Sequence, residues 1–534
     1  MTLLVVVVVA ATQAWAAHPF RGSAKWSVIL CNFSDSPAPT RDANFYRQMV
    51  VNSGTGGMAD YWQAVSGGVM DVEGSVVMGW YTEPHTREQA LQRSQSNRVQ
   101  KYQDCLDTAR TSTTNPYTPP ADHLVAVVTN PGIDLFGMNG VGAFLPVDFD
   151  LGGILHEGGH GVSFNHSFSD DPTYQNASWA AIGEYDDPWD VMSYANVFSR
   201  PTTQFGSGGP GLNAFHVDRM GWLGRDSVMR FGSDGIRTKT VTLKALDPSI
   251  SNGTQLIRIP FDPSDLFRYY TVEFRRKQGW DNGIPGDIVL IHESRRLADG
   301  SYVSYLLRER APARNPVSSL QANGISIRVD RIESANGQAI VTISSEMVDR
   351  CVLGFVWREA GPQDHVCVSG QVRDATRQDN AQAAARRNPA GGPFGPDTCL
   401  QGFVWREAFP GDHVCVTGDV RTRTRDENAA AASRQNPARL AFGPNTCKQG
   451  YVWREADSRD YVCVTGNIRE QTRQDNAQAA ARRNPAGGPF GPDTCLQGFV
   501  WREAFRGDHV CVAPPTRSQA RADNREAANR VEKP

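Results

Sequence analysis

The chain has 534 residues, of which 40% are hydrophobic and 21% charged, with a formal net charge of −3. That length suits several domains rather than one. The balanced charge, with no basic stripe, excludes a nucleic-acid partner. No stretch past the N-terminus approaches the roughly 18 consecutive apolar residues of a membrane span, so no transmembrane anchor is expected.

Residues 1–17 begin Thr2-Leu-Leu-Val-Val-Val-Val-Val-Ala-Ala after the first Met and close on Ala14-Trp15-Ala16. An apolar run followed by a small-x-small site is the pattern of a cleaved signal peptide, although this one carries no leading Lys or Arg. A secreted, extracellular protein is therefore expected. The ten cysteines agree with that compartment. An even count in an exported chain predicts disulfides, and none forms a close Cys-x-x-Cys pair that would favour a metal.

Residues 18–225 mix the two secondary-structure periods. Trp26-Ser-Val-Ile-Leu and His123-Leu-Val-Ala-Val-Val read as strands, and Thr86 to Thr108 as one long amphipathic helix. Strands alternating with helices predict an α/β layer. Cys31 falls in the first strand and is expected to bond Cys105.

Inside this block lies Leu151-Gly-Gly-Ile-Leu-His-Glu-Gly-Gly-His-Gly-Val-Ser-Phe-Asn-His166. His156 and His160 stand at i and i+4, so on a helix both imidazoles leave one face and can grip one Zn2+ ion. Glu157 follows the first ligand, where it can take a proton from a water that the ion polarises without being a ligand itself. His166, ten residues after His156, has the spacing at which a metzincin chain turns back to bring a third imidazole to the metal. Glu184 is the rival third ligand, at a spacing suited to the other large zincin class. Asp187-Pro-Trp-Asp-Val-Met-Ser-Tyr194 favours His166, because it supplies at Met192 the Met-turn that a metzincin needs beneath its zinc. Asp170, Asp171, Asp186, Asp187 and Asp190 crowd the intervening loops as candidate Ca2+ ligands, against the plainer reading of solvated loop carboxylates. Asn32, Asn165, Asn176 and Asn252 head glycosylation sequons, which matter only in a eukaryotic secretory route.

The zinc motif, the Asp190-Val-Met-Ser-Tyr194 segment and Leu212-Asn-Ala-Phe-His-Val-Asp-Arg-Met-Gly-Trp-Leu223 together resemble secreted metzincin peptidases of the gametolysin family. A more distant similarity runs to the immune-inhibitor-A peptidases. Met58-Ala-Asp-Tyr-Trp62 and Gly74-Ser-Val-Val-Met-Gly-Trp-Tyr81 are similar to the N-terminal part of the same group, so the resemblance covers about residues 25–300. It implies His156, His160 and His166 as zinc ligands, Glu157 as catalytic base and Met192 as the Met-turn residue. It also implies Tyr194 as an extra ligand or a donor to the oxyanion. The family pattern has Gly where this chain has Ser163. If that turn needs positive φ, Ser costs of order 1 kcal/mol, and His166 is the ligand at stake.

Residues 226–347 carry short β-type runs, among them Thr240-Val-Thr-Leu, Leu256-Ile-Arg-Ile, Tyr269-Tyr-Thr-Val-Glu-Phe, Ile288-Val-Leu-Ile and Ala339-Ile-Val-Thr-Ile. Turn signals such as Asp281-Asn-Gly separate them, which predicts an antiparallel β-sandwich-like domain. Residues 348–534 are four Cys repeats: Cys351, Cys399, Cys447 and Cys495 are 48 residues apart, and Cys367, Cys415, Cys463 and Cys511 each follow by 16. Segments 377–409 and 473–505 are identical, which points to duplication of a two-unit block. Each unit reads as two short strands, a helix such as Asp379 to Arg387 and a Gly/Pro loop. So small an α+β piece needs a staple, with Cys399 to Cys415 expected and Cys415 to Cys447 the competing register. Trp357, Trp405, Trp453 and Trp501 are either each unit's main core residue or platforms for a cell-wall, matrix or glycan ligand.

The expected architecture is therefore multidomain, and the expected function is a secreted zinc endopeptidase acting on protein or peptide substrates. The alternative is an extracellular binding or adhesion protein with a weak or inactive metzincin scaffold.

Overall fold

The computed structural model describes residues 20–129, 133–232, 238–250, 252–262, 265, 267–310, 313–345, 351, 354–362, 364–434 and 445–531. The expected signal peptide at 1–17 lies outside them. The chain is mixed α/β and multidomain.

The N-terminal block is built on a five-stranded sheet. Its strands are β1 (Trp26–Asn32), β2 (Val76–Thr82), β3 (Leu124–Thr129), β4 (Phe136–Met138) and β5 (Gly142–Pro146), in the order β2-β1-β3-β5-β4. All neighbours are parallel except β4, an edge strand antiparallel to β5. A central strand covered on both faces reads as a near-continuous apolar run, and the buried part of β1 departs from it only at Ser27, whose hydroxyl is hydrogen-bonded to Tyr117 and His123. Trp26, Val28 and Leu30 join a core with α1 (Met58–Val65) and with residues Ile154 and Leu155, while Ile29 and Cys31 face Tyr102, Cys105 and Leu106. The Cys31–Cys105 disulfide ties the sheet to its covering helix.

The single helix expected over Thr86–Thr108 is two, α2 (Arg87–Arg93) and α3 (Gln100–Thr111). Thr86 and Gln89 form a capping box at the start of α2. The break falls on Ser94-Gln-Ser-Asn97, whose short polar side chains compete for backbone groups; Ser94 Oγ donates to Leu91 O at 3.1 Å.

Beyond this block, two sheets pack face to face through Val241, Leu243, Ile257, Ile259, Val272, Phe274, Val289, Ile291, Val341 and Ile343. One runs 228–230, 256–260, 269–275, 288–296, 302–306 and 168–169, and the other 238–244, 338–345, 325–333 and 319–322. The sandwich is present, but it is not wholly antiparallel. Its outer pairs, 228–230 with 256–260 and 302–306 with 168–169, are parallel. The last of these strands, at 168–169, follows directly on His166, so the sheet reaches across position 225.

Each repeat is a two-residue-stranded hairpin closed by its own disulfide, Cys351–Cys367, Cys399–Cys415, Cys447–Cys463 and Cys495–Cys511. The first repeat's helix is Gly370–Ala381, earlier than the Asp379–Arg387 expected, because Ser369 directly after the second strand caps it by accepting from Val372 N. The repeated indoles are packing centres: Trp405 stacks on His413 at 4.2 Å, meets Phe394 edge-on at 5.0 Å, and donates Nε1 to Asp397 O at 2.7 Å.

Repeats associate in pairs by reciprocal contacts. Arg358, ion-paired with Asp364, donates to Ala408 O (3.3 Å) and Asn428 Oδ1 (2.9 Å) of the next unit. Arg406, ion-paired with Asp412, donates back to Ala360 O (3.1 Å) and Asn380 Oδ1 (2.8 Å). Arg454 and Arg502 pair the third and fourth units likewise, through Asn524 and Asn476. This second pair docks on the N-terminal block: Tyr461 OH donates to Leu223 O (2.9 Å), Arg225 N to Ser458 O (3.0 Å), and Arg459 to Gly67 O (2.9 Å), while Arg506 pairs with Asp71.

Candidate metal centre and active site

The helix α4, Leu151–Gly161, carries the first two histidines. Asp150 caps it, accepting from Gly153 N at 3.0 Å. Five glycines make it a poor helix on propensity alone, yet every residue of it is buried, and close neighbours explain the choice. A Cβ added at Gly159 would lie 2.5 Å from Met192 Sδ. Met192 is fully buried against this face of the helix.

The helix ends in a Schellman arrangement. Phe164 N donates to Gly159 O (3.0 Å) and Ser163 N to His160 O (2.8 Å), with Ser163 left-handed at φ +67°. The turn does require positive φ, and Ser163 adopts it. The chain then reverses and delivers His166, so the unusual residue has not cost the third imidazole its place.

The three rings converge. Their ligand atoms lie within 4.8 Å of one another, and His160 Nε2 and His166 Nε2 are 3.0 Å apart. Each Nδ1 is tied to an oxygen that can only accept: His156 to Val191 O (3.0 Å), His160 to Phe164 O (2.8 Å) and His166 to the carboxylate Oε1 of Glu184 (2.6 Å). On His160 and His166 the protons therefore sit on Nδ1 and the Nε2 lone pairs face inward, while His156 Nδ1 lies between Val191 O and the Tyr194 N–H at 3.4 Å. Lone pairs so close repel unless a cation lies among them, and tetrahedral zinc would hold its nitrogens about 3.3 Å apart. Burial, and then the neighbouring imidazoles, hold His156 and His160 well below the ordinary histidine range, His160 at about 3. Neutral imidazole is the ligating form, so the donor set fits zinc.

Glu157 is buried at the same face, and burial raises its carboxyl to about 8. The edge strand β4 passes beside it: a Cβ at Gly137 would lie 2.6 Å from Glu157 Oε2 and 2.6 Å from His160 Cδ2. That contact had no sequence signal. Glu184, the rival ligand, instead orients His166. Burial opposes its ionisation, but the His166 hydrogen bond outweighs this and keeps its carboxyl below the usual range.

Tyr194 has its ring 5.8 Å from that of His156, and its hydroxyl donates to Asp150 Oδ1 at 3.1 Å. Tyr185, not singled out from sequence, lies against His166, its ring 4.2 Å from that imidazole and 6.1 Å from His156. The loop aspartates are engaged by protein donors. Asp186 pairs with Arg308 and Arg314, and Asp171 with Arg314. Asp170 accepts from Arg308 N (2.7 Å), and Asp187 faces His292 (3.1 Å). Asp190 accepts from Met192 N (2.7 Å), Asn213 N (2.8 Å) and His216 Nδ1 (2.9 Å), pinning the turn that carries Met192 to the segment that follows. Asn213 and His216 belong to the 212–223 stretch, whose role was visible in sequence only as resemblance. The chain matches no protein-family model and no curated protein.

Proposed function

We propose that the protein is a zinc-dependent endopeptidase of the metzincin class, exported and acting on extracellular proteins or peptides. The observation that carries this reading is the convergence of three Nε2 atoms whose Nδ1 partners are all fixed, with a buried carboxylate beside them. Bound there, zinc would acidify a water and polarise a carbonyl. Glu157 would take that water's proton and pass it to the departing amine. Glu184 would hold the His166 ring in register, and β4 would leave room for the carboxylate only because position 137 has no side chain. Five disulfides suit an oxidising compartment. Among the described residues, no helix is long and apolar enough to cross a membrane.

The test compares wild type with Glu157→Ala on casein, with and without a chelator. Removing a general base should cost about 10²–10⁴ in rate while zinc content holds. Equal inertness of the two proteins with zinc bound would refute the proposal.

A further inference from the structure

A carbonyl under attack gathers negative charge on its oxygen, and a hydrogen-bond donor placed there is worth much of an enzyme's rate. Two tyrosines stand near the three imidazoles. Tyr194 is already engaged: its hydroxyl donates to Asp150 Oδ1 at 3.1 Å, at the capped start of the metal helix. Tyr185 is differently placed. Its ring lies 4.2 Å from the His166 ring and 6.1 Å from the His156 ring, with Trp179 edge-on at 6.2 Å on its outer side. Its hydroxyl is not walled off from solvent and makes no hydrogen bond with a described residue.

The backbone holds it there deliberately. Tyr185 is left-handed at φ +65°, a conformation that bulky side chains rarely adopt and that clusters at functional sites. Tyr185 N donates to Ser167 O at 3.0 Å, one residue past His166, and the preceding Glu184 binds His166 Nδ1 at 2.6 Å. One short segment thus orients the third imidazole and hangs a phenol over it.

We infer that Tyr185, rather than Tyr194, donates the hydrogen bond to the oxyanion of the scissile carbonyl. The inference rests on the peptidase reading. In the step, a water oxygen bonds to the carbonyl carbon, its proton passes to Glu157 and then to the amine, and the C–N bond breaks. Tyr185 keeps its own proton throughout and gives only the hydrogen bond. Tyr194 then serves as a brace on the helix cap.

The test uses the full-length, zinc-loaded chain and its Tyr185→Phe and Tyr194→Phe variants. Two readouts are taken: kcat and KM on a peptide, and calorimetric affinity for a phosphinic peptide that mimics the tetrahedral state, set against the uncharged ketomethylene analogue. Tyr185→Phe should lose about 100-fold in kcat and a similar factor in phosphinate affinity, with KM, ketomethylene affinity and zinc content held. Tyr194→Phe should lower Tm and move phosphinate affinity less than tenfold. Phosphinate affinity that ignores Tyr185, or that falls mainly in Tyr194→Phe, overturns the assignment whether or not casein is cleaved. A wild type that cleaves nothing yet binds the phosphinate through Tyr185 would defeat the peptidase reading and with it the catalytic role of Tyr185, whereas a wild type that cleaves casein with a phosphinate affinity indifferent to Tyr185→Phe would defeat the assignment alone.

Discussion

Ser163 offers the most direct test of how the histidine-bearing helix at 151–161 is terminated. It occupies the position after the helix cap at φ +67°, where an L-residue with a Cβ meets the following carbonyl at a cost of roughly 1–2 kcal/mol. Glycine escapes that clash but gives up roughly 0.5–1 kcal/mol through its freer unfolded chain. Ser163→Gly should therefore gain about 0.5–1 kcal/mol, and Ser163→Ala supplies the reference, since it keeps the Cβ and removes the hydroxyl. For a block of this size the difference between them corresponds to roughly 1–4 °C in Tm, with the glycine variant the more stable. Differential scanning calorimetry, with and without chelator, reads this, and zinc titration checks that His166 keeps its place. Equal melting of the two variants, or a less stable Ser163→Gly, would refute the claim that left-handed strain sits at this turn.

Other substitutions probe the site and its supports. Gly137→Ala puts a methyl 2.6 Å from both Glu157 Oε2 and His160 Cδ2; peptidase activity should fall at least tenfold while far-UV circular dichroism stays native, and full activity would show that β4 can retreat. Glu184→Ala removes the carboxylate that orients His166, so zinc affinity should drop about 10–100-fold; unchanged affinity in a competition titration would deny it that role. Glu83 is buried with neither carboxyl oxygen bonded, and burial raises it to about 8. Its folded state keeps a proton that the unfolded chain releases above about pH 4.3, so stability is fully present below that pH and declines as pH rises toward 8. Glu83→Gln should flatten that decline and raise Tm at pH 9, and identical pH–Tm profiles would count against it.

What could be read in the sequence was what local spacing encodes. The i, i+4 histidines, the third histidine ten residues on, the strands at 26–32 and 124–129 and the in-unit disulfides all depend on residues close in the chain or on repeat arithmetic. The sandwich strands were legible for the same reason, since each is a short β-type run set off by turn residues close to it in the chain. What escaped depended on distant partners. Gly137 matters only because Glu157 lies against it, and nothing around position 137 says so. Glu184 could be suspected near the metal, but whether it would bind the ion or the imidazole was a matter of a few ångströms. Tyr185 carries no local signal, whereas Tyr194 has the expected offset from Met192. The parallel strand at 168–169 is too short to carry a period, and the helix over 86–108 broke where four polar residues offered the backbone other partners.

The reciprocal arginines of the repeats have a consequence for how such a chain can lengthen or shorten. Arg358, Arg406, Arg454 and Arg502 are each only 1% exposed, and each spends part of its guanidinium on the sister unit. A single unit gained or lost would strand one arginine, either buried without its acceptors or dragged into water with its hairpin opened. The inherited quantum is therefore the pair, and copy number in this tail should change by twos. The identical segments 377–409 and 473–505, at matching places in the two pairs, are the trace that such an event leaves.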